Sequence, residues 1–170
     1  MGIHRKSRAT WREIHKDRYV AKRYSQTPGI DYNETFSPTA GMSSIRVLLQ
    51  HAVQNNMLLH QMDVKTAYLN VLIDCEMYLH QPEGYEEIDK NGEKLVYRLK
   101  RSLYGLKQSG RNWNNVLHEH LIGKIFKQSL VDPCVYTWLE GKDVTIVIVW
   151  VDDIIIVAYN DTLMQSVKKI

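Results

Sequence analysis

Two adjacent carboxylates, Asp152 and Asp153, interrupt a wall of β-branched residues. Of the ten residues that flank them, 146–151 and 154–157, nine are Val or Ile. A lone carboxylate buried against such a wall is unfavourable, and two acids side by side repel one another. A hard divalent cation such as Mg²⁺ relieves both problems, because it takes oxygen ligands and typically keeps one or two protein carboxylates while substrate phosphates complete its shell. The competing reading is a solvated hairpin tip, where Asp is a common turn former. One hairpin cannot furnish a two-metal site, so a second source is needed. Asp63 is the best candidate, because it ends the apolar segment 57–63, where a sheet edge would present it beside the hairpin tip. Read alone, an Asp at a strand end is more often a helix cap or a turn residue. Two metals held by such a pair can activate a hydroxyl nucleophile and stabilise a leaving pyrophosphate, in a phosphoryl transfer that rests mostly on positioning and charge neutralisation.

The elements that must position these acids are legible from periodicity. Residues 144–151 and 154–158 read as two strands joined by a tight turn that holds both acids, and 134–140 as the strand before them, joined through Gly141-Lys142-Asp143. Ile45, Leu48, Leu49, Ala52 and Val53 recur at the spacing of one helical face, with Ser43 or Ser44 as the cap and Asn55 and Asn56 as the end. A second helix is expected over 108–126, burying Trp113, Val116, Leu117, Leu121 and Ile125. Short strands are expected at 76–80 and 94–99, separated by a linker with Pro82, Gly84 and Asn91-Gly92, and 26–38 reads as a loop. The sum is an α+β fold, an antiparallel sheet with helices on one face, similar to a split βαβ arrangement.

Composition sets the outer bounds. With 170 residues, 44% hydrophobic and 24% charged, the chain has the make-up of a soluble globular domain. No apolar run reaches the length needed to span a bilayer. Cys75 and Cys134 show no zinc spacing and read as free thiols in an intracellular protein. Residues 1–24 carry eight basic and two acidic residues, net +6, which leaves −3 for the remainder of a chain of net charge +3. Such a basic arm suits a polyanionic partner, although from charge alone a solvated, partly disordered tail is the simpler reading. His118 and His120, two apart on a helix, do not share a face and make a poor metal pair. Trp113 and Trp138 read as core rather than as stacking platforms.

Five segments, in order, then resemble the reverse transcriptase of copia-type LTR retrotransposons: KDRYVAKRYSQTPGIDYNETFSP (16–38), QMDVKTAYLN (61–70), MYLHQPEGY (77–85), SLYGLKQSGRNW (102–113) and WVDD (150–153). The resemblance as a whole covers residues 16–158, 143 of the 170. The resemblance implies a right-hand polymerase fingers and palm over 16–170, preceded by a poorly matching basic arm over 1–15, with the thumb lying beyond the chain. It implies an RNA-directed DNA polymerase that joins dNTPs to a primer 3′-hydroxyl with two Mg²⁺ ions (or Mn²⁺). Asp63 and Asp152 would be the metal ligands, with Asp153 in support and the Val64 carbonyl completing the second metal's shell. Tyr68 would be the gate against a ribose 2′-hydroxyl, and Lys16 and Arg18 would grip the triphosphate. Tyr104, Gly105, Lys107 and Gln108 would line the nucleotide pocket and template path.

The implied partners are an RNA or DNA template-primer, dNTPs, and the thumb, ribonuclease H and integrase of a Pol polyprotein, without a membrane. The implied location is intracellular, in cytoplasmic virus-like particles or the nucleus. Trp150 stands where the family usually has Tyr, Arg23 where Gly is usual and Gly110 where Pro is usual. Two other readings stay open: a catalytically inactive truncated remnant, and a co-opted nucleic-acid- or protein-binding domain. Primer extension separates them from the polymerase.

Overall fold

The computed structural model describes residues 18–168, together with the backbone of 4–6 and 14–16. Strands β1 (His4–Lys6) and β2 (Ile14–Lys16) form an antiparallel pair. Helix α1 (Met42–Gln54) leads to β3 (Leu58–Asp63), and β4 (Tyr78–His80) pairs with β5 (Val96–Arg98). Helix α2 (Ser109–Gly123) is followed by β6 (Lys127–Gln128), β7 (Val135–Glu140), β8 (Asp143–Trp150), β9 (Asp153–Ala158) and α3 (Asp161–Lys168). Two compact units emerge: residues 1–35 with 68–112, and residues 36–67 with 113–170.

The second unit is built on a five-stranded antiparallel sheet in the order β3-β9-β8-β7-β6. Alternation along the strands divides the Val/Ile wall between two faces. Val147, Val149 and Ile156 pack with Leu121 of α2 and with Leu163, Met164 and Val167 of α3. Ile146, Ile148 and Val157 pack with Ala52, Ile45 and Leu48 of α1. The helices therefore cover both faces, not the one expected. The cause is in the sequence: a strand that is apolar on both sides must be covered on both sides. Six Val and Ile residues of β8 and β9 are buried in this way, each stabilising the fold by about 1.5–3 kcal/mol.

The helix ends show which expectations hold. Asn55 is the C-cap of α1, as its position suggested. Asn56 follows at φ 50°, with hydrogen bonds from Asn56 N–H to Val53 O and from Met57 N–H to Ala52 O, a Schellman ending. Helix α2 closes in the same way, Ile125 N–H to Ile122 O and Phe126 N–H to Leu121 O, but Ile125 occupies the left-handed position at φ 92°. That geometry turns Ile125 out to solvent and puts Phe126 in the core instead. Val53 and Val116 are also exposed, because each lies at the margin of its helix's apolar stripe.

The N-cap of α1 is Gly41 rather than Ser43 or Ser44, and a glycine has no side chain with which to cap. Asp132, 91 residues away in sequence, does the capping: its carboxylate accepts from Gly41 N–H at 2.9 Å and from Cys134 N–H at 2.9 Å. Burial raises the Asp132 pKa, but hydrogen bonds from Ser44, Cys134 and Gly41 outweigh it, so the net shift is downward. Helix α3 and strand β6 were not anticipated. Asn160 caps α3 by accepting from Leu163 N–H at 2.9 Å, the kind of signal a cap-first reading would catch.

The first unit has a smaller core of Ala21, Met77 and Leu106, flanked by Ile73, Leu79, Leu99 and Leu103. Strands β4 and β5 are shorter than expected, three residues each. Both cysteines are free, and burial pushes the Cys134 thiol up to about 11.

Candidate active site

Strand register brings two of the three carboxylates face to face. Asp63 of β3 lies directly opposite Asp153 of β9, which in turn lies opposite Trp150 of β8. Side chains of directly opposed residues project from the same face, so the two acids and the indole form one row across three strands. The loop between Trp150 and Asp153 holds only Val151 and Asp152. The expectation that both acids occupy the turn is thus half met, since Asp153 is the first residue of β9.

Val151 has φ 57° and Asp152 is not among the positive-φ residues, the φ pattern of a type II′ turn, whose first position favours Gly. A β-branched residue there is strained by about 1–3 kcal/mol, well within what the six buried Val and Ile side chains supply. Two hydrogen bonds hold the turn. The Trp113 indole N–H donates to the Val151 carbonyl at 2.6 Å, and the Val64 N–H donates to the Asp152 carbonyl at 2.8 Å. The Gln61 amide donates to Asp153 Oδ1 at 3.2 Å. Gln61, two residues before Asp63, was legible as a same-face neighbour from the strand period. The Trp113 contact carried no such signal, because it joins an inward helix side chain to a backbone carbonyl.

Asp63 is exposed, and Asp152 and Asp153 are half-buried. Like charges directly opposite one another destabilise a sheet. Among the described residues no ion pair neutralises the three acids, and no three His, Cys, Asp or Glu side chains close a ready-made metal cage. The donor set, all hard oxygens in few protein ligands, suits Mg²⁺, which relies on substrate phosphates and water for the rest of its shell. Asp63, Asp152 and Asp153 are the side chains that could hold it.

The residues implied for nucleotide binding fall in the other unit. The Arg18 guanidinium lies 4.7 Å from the Tyr104 ring centroid, and Tyr104 lies 4.9 Å from Tyr68. Lys107 is turned toward Tyr32, with Nζ 4.5 Å from the ring centroid and 2.8 Å from the hydroxyl, to which it donates. Gln108 is buried; its Oε1 accepts from Gln26 Nε2 at 3.0 Å and its Nε2 donates to the Asp31 carbonyl at 2.9 Å. Gln26 Oε1 in turn accepts from the Lys107 N–H at 2.8 Å. Gln108 thus braces the 103–107 loop from within.

Gly105 is at φ 93°, and a Cβ there would overlap the Ala21 carbonyl oxygen and come within 2.6 Å of Val20 Cγ1. Tyr32 and Gln26 are additions that the sequence reading missed, since both lie in a loop without periodicity. Lys16 belongs to β2, but its side chain lies outside the described residues. Arg23 opens a 3-10 turn (Arg23–Ser25) and is not among the positive-φ residues, so its replacement of a usual Gly leaves no strain there.

A family model described as reverse transcriptase (RNA-dependent DNA polymerase) matches residues 3–170. The chain is 39% identical over 152 residues to the retrovirus-related Pol polyprotein from transposon RE1 of Arabidopsis thaliana, covering 89% of this chain and 10% of that protein. It is 37% identical over 155 residues to the corresponding polyprotein from transposon TNT 1-94 of Nicotiana tabacum, 91% of this chain and 12% of that protein. It is 34% identical over 157 residues to the Transposon Ty1-MR1 Gag-Pol polyprotein of Saccharomyces cerevisiae, 92% of this chain and 8% of that protein. The chain spans about a tenth of the length of these relatives. No solved structure matches it.

Proposed function

The chain belongs to the reverse transcriptase (RNA-dependent DNA polymerase) family, as the reverse transcriptase domain of a copia-type retrotransposon Pol polyprotein, and on that premise we propose that it forms the polymerising core of its element. Asp63 and Asp152 bind the metals, with Asp153 in support, and the reaction joins a dNTP to a primer 3′-hydroxyl. The observation that carries this reading is the register: Asp63 opposite Asp153, with Asp152 next to it in the turn. When bound, a pair of Mg²⁺ (or Mn²⁺) ions would supply charge neutralisation and an activated primer hydroxyl.

The protein's own part is to aim and support. The sheet fixes the spacing of Asp63 and Asp153, and Val64 ties β3 to the turn, with its carbonyl as a further ligand for the second metal. Lys16 and Arg18 grip the triphosphate, Tyr68 excludes a ribose 2′-hydroxyl, and Tyr104, Gly105 and Lys107 line the nucleotide pocket, braced by Gln108. In this reading the 1–35/68–112 unit serves as fingers and the other as palm. The partners are an RNA or DNA template-primer, dNTPs and the remaining domains of a Pol polyprotein.

The test is primer extension on an RNA template with Mg²⁺ or Mn²⁺, by the chain alone and joined to the C-terminal remainder of a Pol relative. Extension that disappears in Asp152→Asn is expected. Undetectable extension in both formats overturns the polymerase reading, and extension that survives Asp152→Asn overturns the metal site.

A further inference from the structure

The turn that presents Asp152 is strained at Val151, and its central peptide is pinned at one atom, the Val151 carbonyl oxygen; the two facts are linked. In a two-residue turn, types I′ and II′ differ by a flip of the central peptide, here the one between Val151 and Asp152. The flip reverses the Val151 carbonyl and changes the sign of φ at Asp152, which leaves that residue's Cβ nearly in place but changes the χ1 rotamers open to its carboxylate. Val151 at φ 57° gains nothing from the form it adopts, because the II′ geometry is the one that a side chain at this position resists most. The central carbonyl, however, accepts the Trp113 indole N–H at 2.6 Å, from a ring that is itself buried.

We propose that Trp113 is a positioning residue for Asp152: its indole N–H, by holding the Val151 carbonyl, selects one orientation of the central turn peptide and so aims the Asp152 carboxylate. Trp113 touches neither substrate nor metal in this role. The functional consequence rests on the polymerase reading above, whereas the conformational one does not.

The variant Trp113→Phe keeps a buried aromatic ring and removes the donor. In the full chain, heteronuclear NMR of Trp113→Phe should show a second set of Val151 and Asp152 amide resonances, with distant β7 and α3 resonances unchanged. Primer extension should lose roughly tenfold or more in kcat with the dNTP KM within twofold, as expected when a reacting group is misaimed but binding is kept.

Glycine relieves the strain at position 151, so in a Val151→Gly background the turn no longer depends on the indole. There, Trp113→Phe should change kcat by less than twofold and leave a single set of resonances. A single, unshifted Asp152 resonance in Trp113→Phe overturns the proposal, as does a kcat loss that Val151→Gly fails to rescue. Should the parent chain show no extension at all, the polymerase reading fails and the resonance pattern alone still decides this one. If Trp113→Phe spreads its changes through β7 and α3, Trp113 is a packing residue only and the proposal is overturned.

Discussion

The carboxylates and the aromatic-cationic cluster are held by different means. Asp63 and Asp153 owe their spacing to a backbone ladder, six consecutive residue pairs between β3 and β9, beside strands buried on both faces. Arg18, Tyr68 and Tyr104 owe theirs to single contacts: a Gln26–Gln108 side-chain bond, one backbone bond from Ala21 N–H to the Tyr104 carbonyl at 2.9 Å, and a glycine against backbone. A ladder spreads its load over many bonds, so one side chain can change without moving the rest. A loop braced by single contacts concentrates its load.

Perturbations should divide accordingly. Asp63→Asn should lower primer extension by at least about 1,000-fold, in line with what loss of charge stabilisation at a phosphoryl-transfer centre removes. Yet the melting temperature should hold or rise, because one of two opposed like charges is gone. A melt that drops several degrees would break the claim that the ladder carries this site. Gly105→Ala is the converse: the added Cβ meets Ala21 and Val20 at φ 93°, and a loss of about 2–4 kcal/mol is expected in urea denaturation, with local protection lost around 103–107.

Asp132→Asn sharpens the picture by testing a polar tie inside the ladder-based unit. It should cost about 1–2 kcal/mol near pH 7, the worth of a helix cap. The folded pKa of Asp132 is depressed, so its contribution is full above the ordinary carboxylate value of about 3.9 and fades as pH falls through the lower folded value. The gap between parent and variant should therefore be flat above about pH 5 and close below about pH 4, read from urea midpoints. Ile125→Gly should stabilise by about 1 kcal/mol, by removing a β-branched residue from the left-handed region, and leave extension unchanged. Arg18→Ala should change stability least, by about 0.5–1 kcal/mol for an exposed cation-ring contact, while raising the dNTP KM.

What was legible in the sequence follows the same division. Period-2 alternation and β-branched runs marked β3, β7, β8 and β9 within a residue or two, and with them the end-of-strand place of Asp63. Periodicity reports that a face is apolar, not which element will cover it. Periodicity alone therefore places α1 on the same side as α2 and Val53, Val116 and Ile125 on buried faces. Contacts between a side chain and a distant backbone atom leave no pattern at all. Asp132 on Gly41, Gln26 on Lys107 and Trp113 on Val151 are invisible for that reason, although the last two brace segments that the motifs single out.

The pairing of β3 with β9 also sets a timetable. Asp63 and Asp153 are 90 residues apart in sequence, and chains are synthesised at about 5–20 residues per second. Strand β3 therefore leaves the ribosome seconds before its partner exists, and the loop between them must close before any native contact rewards it. Until then its unpaired edge and the emerging Val/Ile segments are open to mispairing with other chains. The row of acids therefore depends on a long-range pairing that can form only once β9 has emerged.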